Sequence, residues 1–129
     1  MSAPPDDTRE VVIDVDALVT RFGSQTVHDG LGFRIRRGEL VALIGGSGSG
    51  KSVLLREIIG LQRPQAGAIR LLGTDVWRAG PEQLQALRRR FGMMFQEGAL
   101  FSSLDVAANV ATPLREHADV PASMLDALV

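Results

Sequence analysis

Alternating and β-branched apolar positions predict a small antiparallel sheet in the first part of the chain. Val11–Val19 is β-branched and partly alternating, which is typical of a strand. Residues 31–36 alternate apolar with polar side chains, as in a half-exposed antiparallel strand. Residues 22–25 are predicted to form a turn. Two further extended segments are predicted, one starting at Val27 and one short strand between glycines at 67–73. The expected sheet covers 11–37 and 68–72.

Two other runs are apolar throughout rather than alternating. They are Leu40–Ile44 and Phe91–Phe95. A short continuous apolar run is typical of a strand buried on both faces of a parallel sheet. These runs therefore predict two parallel core strands.

Amphipathic segments between these strands predict four helices. The first covers Lys51–Ile59 and ends near Gly60, and the second runs from Pro81 to about Arg90. The third is capped by Ser102 or Ser103 and extends through Thr112, where Pro113 is expected to stop it; the fourth opens at 121–129. The polar, proline-containing residues 1–9 are expected to form a disordered lead-in.

The segment 45–52 matches the phosphate-binding P-loop motif G-x-x-x-x-G-K-[ST]. Its glycines allow the backbone to turn N–H groups inward, and the following helix N-terminus adds partial positive charge. Lys51 is the single lysine beside thirteen arginines, and it is expected to reach the β- and γ-phosphates. Ser52 is expected to bind Mg²⁺ through its hydroxyl. A flexible Gly/Ser linker is the alternative, but such a linker would not lie between a buried strand and an amphipathic helix.

Composition narrows the class of protein. The chain has 129 residues, a net charge of −1 and no cysteine, which excludes disulfides and a thiolate metal site. The arginines at 88–90 lack interleaved aromatic residues, so a solvated face is favoured over a nucleic-acid surface. No apolar run is long enough for a membrane span or a signal peptide.

From about Glu10 onward the chain resembles the nucleotide-binding domain of an ABC transporter. Three segments carry the resemblance: residues 20–23, which are similar to the A-loop; the P-loop GGSGSGKS; and residues 91–96, which are similar to the strand leading to the Q-loop glutamine. Gln96 follows Lys51 by 45 residues, a spacing typical of the family. Residues 95–101 and 110–117 further resemble the MlaF and Mkl type of ATPase, which serves MCE-associated lipid transporters.

The resemblance implies a role for each residue that matches a family motif. Phe22 would stack on adenine, although a core aromatic at the edge of a turn is an alternative interpretation. Gln96 would sense the γ-phosphate, bind Mg²⁺ and couple to the membrane subunit; the alternative is an ordinary polar residue at a strand end. Val53 stands where a second threonine is frequent. The implied ATP site thus consists of Phe22, Gly45, Gly46, Ser47, Gly48, Ser49, Gly50, Lys51, Ser52, Val53 and Gln96, with Ser52 and Gln96 as the Mg²⁺ ligands.

The implied fold is α/β, a partial P-loop NTPase of ABC type over residues 10–129, with parallel core strands, a small antiparallel subdomain and part of a helical subdomain. The 129 residues contain no LSGGQ-type signature, no later apolar run ending in Asp-Glu and no switch histidine, so we expect a domain truncated before these segments. Whether this chain hydrolyses ATP is therefore left open.

The resemblance also implies partners and a location. The partners would be ATP, membrane permease subunits and a second nucleotide-binding domain, at the inner face of the cell membrane in the cytoplasm. Phospholipid is the cargo that the subgroup suggests. A non-catalytic remnant that binds nucleotide or a partner protein is the alternative, and a small P-loop kinase fits poorly. Leu84, Leu87 and the helix at 104–114 could dock a membrane subunit or simply pack in the core.

Overall fold

The computed structural model describes residues 8–95, 98–117 and 120–129. The chain divides into two compact units, Met1–Leu87 and Arg88–Val129. The first contains strands β1 (Val11–Phe22), β2 (Gln25–Arg36), β3 (Ala66–Leu71) and β4 (Thr74–Asp75), helix α1 (Lys51–Ile58) and nearly all of α2 (Pro81–Arg88). The second contains helices α3 (Val106–His117) and α4 (Ala122–Leu128).

The four strands form one antiparallel sheet in the order β2-β1-β3-β4. Because β1 lies between β2 and β3, its residue Val15 pairs with Phe33 on one side and Ile69 on the other. Val15, Leu18 and Ile69 are at most 2% exposed and form the centre of the core. The predicted antiparallel sheet is confirmed, and the short strand β4 is an addition that the sequence pattern did not indicate.

Helix α1 follows the phosphate loop and packs its buried face toward the sheet. Leu54 and Ile58 are buried on that face, together with the acidic residue Glu57. The helix ends just before Gly60, as the sequence predicts. Helix α2 starts at Pro81 as predicted and ends at Arg88, two residues earlier than expected.

The two predicted parallel core strands are wrong for this structure. Leu40–Ile44 and Phe91–Phe95 are irregular, and Leu40, Ile44 and Met94 are almost fully exposed. An extended run becomes a strand only when its N–H and C=O groups pair with a neighbouring strand. Neither run belongs to the described sheet, so neither has such a ladder.

The predicted bounds of the third helix are also wrong. Helix α3 begins at Val106, because the Asp105 carboxylate, and not Ser102 or Ser103, accepts a hydrogen bond from the Ala108 backbone N–H at 2.7 Å. The helix continues past Pro113, although a proline inside a helix removes one backbone hydrogen bond and crowds the carbonyl four residues earlier. Helix α4 lies within the predicted segment 121–129.

The predicted lead-in covers residues 1–9, of which 1–7 lie outside the described residues. Arg9 is described and forms an ion pair with Glu39, with 3.1 Å between Nη2 and Oε1. Within the described ranges, no helix is both long and apolar enough to cross a membrane.

Candidate functional site

The phosphate loop turns the chain into α1 through left-handed glycines. Gly48 has φ 78° and Gly50 has φ 91°, values that residues with a Cβ rarely adopt. The Ser49 N–H donates to the Gly46 carbonyl at 3.3 Å, and the Gly50 carbonyl accepts from the Leu54 N–H at 2.9 Å. The loop is therefore continuous with the first turn of α1, whose leading N–H groups have no partner within the helix.

The Lys51 side chain folds back over this loop. Its Nζ donates to the carbonyls of Gly45 and Gly46, at 2.6 and 2.8 Å, and to Ser49 Oγ at 3.1 Å. These three contacts use all three donors of an ammonium group. The result is a compact positive charge held at the loop and beside the N-terminus of α1.

A pocket of about 530 Å³ opens beside the loop and lies within the first unit. Its volume falls in the range of small-molecule sites. The pocket is lined by Phe22, Gln25, Val27, Ser47, Gly48, Ser49, Gly50, Lys51, Ser52 and Val53. One wall is thus the hairpin of β1 and β2, and the other is the phosphate loop with the start of α1.

Phe22 belongs to the hairpin end of this pocket. It pairs with Gln25 across the two-residue turn, and its side chain is 50% exposed. A ring exposed to this degree does not fill a core, so the core interpretation of Phe22 loses support. Gln25 and Val27 are lining residues that sequence reasoning missed, because neither belongs to a recognised motif.

Not every predicted site residue lies on the pocket. Gly45 and Gly46 lie outside its lining and instead accept hydrogen bonds from Lys51 through their carbonyl oxygens. A Cβ on Gly45 would stand 2.5 Å from Ser49 Oγ, so the glycine leaves the space into which Ser49 and Lys51 fold. Gln96 lies outside the described residues.

A buried polar cluster beneath the loop was also missed. Glu57 of α1 is fully buried, and Thr20 of β1 donates its hydroxyl hydrogen to Glu57 Oε1 at 2.7 Å. His28 of β2, 7% exposed, places Nδ1 3.4 Å from Glu57 Oε2. The signal in the sequence was a carboxylate on the apolar face of α1, between Leu54 and Ile58.

The donors at this pocket fit a nucleoside triphosphate with a divalent cation. Lys51 and the first N–H groups of α1 supply positive charge for phosphate oxygens. Ser52 is exposed at the second position of α1, where a hydroxyl oxygen suits Mg²⁺, a cation that prefers oxygen ligands. Phe22 and Val27 give the far wall an apolar surface of the kind that a nucleobase face can contact.

Comparison with known proteins agrees with the sequence resemblance. The family model described as ABC transporter matches residues 28–128. The chain is 44% identical over 107 residues to the "Probable ribonucleotide transport ATP-binding protein mkl" of Mycobacterium leprae, covering 83% of this chain and 31% of that protein. It is 36% identical over 118 residues to the "Intermembrane phospholipid transport system ATP-binding protein MlaF" of Haemophilus influenzae, covering 92% of this chain and 45% of that protein.

A solved structure described as the ATP binding subunit of an ABC transporter superposes with a TM-score of 0.73 at 29% identity, covering 86% of this chain and 45% of that one. The predicted fold class, a partial P-loop NTPase of ABC type, is thereby confirmed. This chain spans less than half the length of each of these relatives.

Proposed function

Because this chain belongs to the ABC transporter family of ATP-binding proteins, we propose that its pocket binds Mg-ATP. One observation carries the proposal: a single pocket brings the half-exposed ring of Phe22 together with the phosphate loop and Lys51. A ring face and a phosphate cradle on opposite walls match the two ends of a nucleotide. Neither wall alone would select a nucleotide over free phosphate or over an aromatic compound.

In this proposal each wall holds one part of the ligand. Lys51 exchanges its contacts with the Gly45 and Gly46 carbonyls for phosphate oxygens, while the N–H groups at the start of α1 donate to the same phosphates. Phe22 stacks on the adenine, with Val27 beside it. Gly46, Ser47 and Ser49 shape the loop, and Val53 lines the pocket next to Ser52.

We assign Mg²⁺ to the Ser52 hydroxyl, with Gln96 as the second protein ligand. When bound there, Mg²⁺ would supply positive charge that offsets the charge of the phosphates during phosphoryl transfer. Ser52 and Lys51 are the first two residues of α1, so the hydroxyl and the ammonium would both serve the phosphate end of the ligand. We do not assign the activation of an attacking water to any of residues 45–53. We propose that they bind and orient the nucleotide.

The cellular role follows from the family. We propose that the chain acts as the ATP-binding component of an ABC transporter, together with a second nucleotide-binding domain and membrane permease subunits. It would then lie at the inner face of the cell membrane. We propose phospholipid as the cargo, because residues 95–101 and 110–117 resemble the MlaF and Mkl type of ATPase, and the matched MlaF protein of Haemophilus influenzae is named for phospholipid transport.

Calorimetry tests nucleotide binding by this pocket. Mg-ATP should bind the chain saturably with one site, and Lys51→Ala should abolish detectable binding because the ammonium is removed from the loop. Lys51→Arg serves as a matched control for charge: a planar guanidinium cannot make the same three contacts, so we expect weak binding there too. Equal affinity in the wild type and Lys51→Ala would refute the proposal.

A further inference from the structure

The cluster of Thr20, His28 and Glu57 joins three elements directly beneath the phosphate loop. Thr20 comes from β1, His28 from β2 and Glu57 from α1. All three side chains are buried, and Glu57 is 0% exposed. Burying a carboxylate away from solvent costs free energy unless polar groups contact it. Leu54 and Ile58, the other buried residues of α1, are apolar, so the packing of the core alone does not account for a carboxylate at position 57.

The two carboxylate oxygens of Glu57 lie near residues of two different strands, β1 and β2. Oε1 accepts from the Thr20 hydroxyl at 2.7 Å. Oε2 stands 3.4 Å from His28 Nδ1, within ion-pair distance but without hydrogen-bond geometry, and neither of these two atoms has another hydrogen-bond partner in the described part of the chain. The carboxylate therefore lies beside the Nδ1 edge of the imidazole, and a small movement of either group would complete the hydrogen bond.

The opposite edge of the same imidazole faces the phosphate loop. A Cβ placed on Gly50 would stand 2.7 Å from His28 Nε2 and 2.5 Å from Val27 Cγ1. The wall formed by Val27 and His28 thus packs against the Gly50 backbone with no room for even a methyl group. Gly50 is the left-handed residue from which α1 starts, and Lys51 and Ser52 follow it.

We propose that His28, oriented by Glu57 and Thr20, is a positioning residue that holds Gly50 and the first turn of α1 in the geometry that binds phosphate. The inference rests on the proposed function, since it names a determinant of the same site. The cluster connects the hairpin that carries Phe22 to the helix that carries Lys51. It therefore fixes the relative placement of the two walls of the pocket as well as the loop itself.

Four variants separate positioning from plain stability: His28→Leu, Glu57→Leu, the double variant His28→Leu/Glu57→Leu, and Leu71→Ala. Leu71 is buried on β3 and does not line the pocket, so its variant is a control for lost packing. Tm and the Kd for Mg-ATP are measured on the same preparations of the 129-residue chain. The Kd is measured at a temperature below every Tm.

We expect Tm and the Kd for Mg-ATP to change independently of each other in these variants. Each single leucine variant leaves a buried polar group without its partner and should lower Tm by about 10 °C or more. The double variant leaves only the Thr20 hydroxyl without its acceptor and should recover much of that Tm, because replacing a buried charged pair by apolar side chains is often neutral or stabilising. Its Kd should nevertheless stay about tenfold weaker than that of the wild type, whereas Leu71→Ala should keep the wild-type Kd despite a lower Tm.

Two outcomes overturn the inference. If the double variant regains the wild-type Kd together with its Tm, the cluster serves stability only. If His28→Leu binds Mg-ATP as tightly as the wild type, His28 does not position the loop. A wild-type chain that fails to bind Mg-ATP would instead refute the proposed function, so the two failures are distinguishable.

An NMR measurement remains informative if the single variants do not fold. The chain has only two histidines, so in a His117→Asn variant the remaining histidine ring signals belong to His28. Addition of Mg-ADP should shift the ¹⁵N signals of the His28 ring, and Lys51→Ala should abolish that response. Unchanged His28 signals at saturating Mg-ADP would overturn the inference.

Discussion

At the residue scale, two glycines of the phosphate loop share a left-handed backbone but differ in their surroundings. A Cβ on Gly50 would lie within 2.7 Å of Val27 and His28 atoms, whereas a Cβ on Gly48 would meet nothing within 4 Å. Both positions carry the backbone cost of a positive φ, which is about 1–2 kcal/mol for a residue with a side chain. Only Gly50 adds a steric cost.

We therefore expect Gly50→Ala to be more destabilising than Gly48→Ala. The added overpacking should bring the loss in free energy of unfolding to about 3 kcal/mol at Gly50, against about 1 kcal/mol at Gly48. Urea unfolding followed by circular dichroism measures both values. Equal losses would mean that the wall formed by Val27 and His28 yields to a methyl group.

Phe22 provides a second prediction at this scale. Phe22→Ala should weaken Mg-ATP binding by about tenfold or more, because stacking of a base on an aromatic ring contributes about 1–3 kcal/mol. Phe22→Tyr should bind like the wild type, since the ring face is kept. Inorganic tripolyphosphate has no base, so its affinity should be the same in all three proteins. A parallel loss of tripolyphosphate affinity in Phe22→Ala would show that the substitution acts on the loop and not on the base.

At the scale of elements, the sequence predicted the strands and helices that have their own periodicity or are bounded by turn residues, whether their partners are near in the chain, as β2 is to β1, or distant, as β3 is. The hairpin of β1 and β2, the helix α1 and the helix start at Pro81 follow from periodicity and turn residues. The runs Leu40–Ile44 and Phe91–Phe95 have the composition of buried strands, yet composition does not supply a neighbour to pair with. Both are irregular for that reason.

In the candidate site, the sequence identified the residues of one contiguous segment and missed those that meet only through folding. The loop and Lys51 form a contiguous motif, so the sequence identified them directly. Gln25 and Val27 belong to the pocket only because the hairpin folds beside the loop. The contact of His28 with Glu57 joins residues far apart in sequence, and neither residue alone indicates it.

The start of α3 gives a prediction at this scale. Asp105 accepts a hydrogen bond from the Ala108 N–H, whereas Ser103 lies two residues earlier in the preceding turn. Asp105→Ala should therefore cost about 1 kcal/mol of stability, a typical value for loss of an N-cap, and Ser103→Ala should cost close to nothing. Hydrogen exchange at the N–H groups of the first turn of α3 measures the difference. A larger effect of Ser103→Ala than of Asp105→Ala would mean that Ser103 caps the helix, as the sequence predicts.

At the scale of the whole molecule, exposed apolar side chains are numerous. They include Leu40, Ile44, Met94, Leu100 and Val106, each more than three-quarters exposed. Apolar surface of this kind favours association with other surfaces. We expect the isolated chain to self-associate at micromolar concentration in sedimentation velocity experiments.

A paired substitution tests the origin of that association. Leu40→Ser with Ile44→Ser should reduce self-association and leave the free energy of unfolding nearly unchanged, because both side chains are almost fully exposed. If the paired substitution instead leaves self-association unchanged and lowers the free energy of unfolding, these residues pack inside the folded chain. A monodisperse wild-type monomer that unfolds cooperatively would contradict the prediction itself.

The central claim is that one pocket holds the base beside the β1–β2 hairpin and the phosphates at the loop. Photo-crosslinking with 8-azido-ATP and Mg²⁺, followed by tryptic mapping, tests it most directly, because the reactive group is on the adenine. Trypsin releases residues 22–34 as one peptide, which contains Phe22, Gln25 and Val27. We expect the adduct in this peptide, with protection by excess ATP and loss in Lys51→Ala. An adduct confined to residues 98–129, or labelling that ATP does not prevent, would contradict the claim.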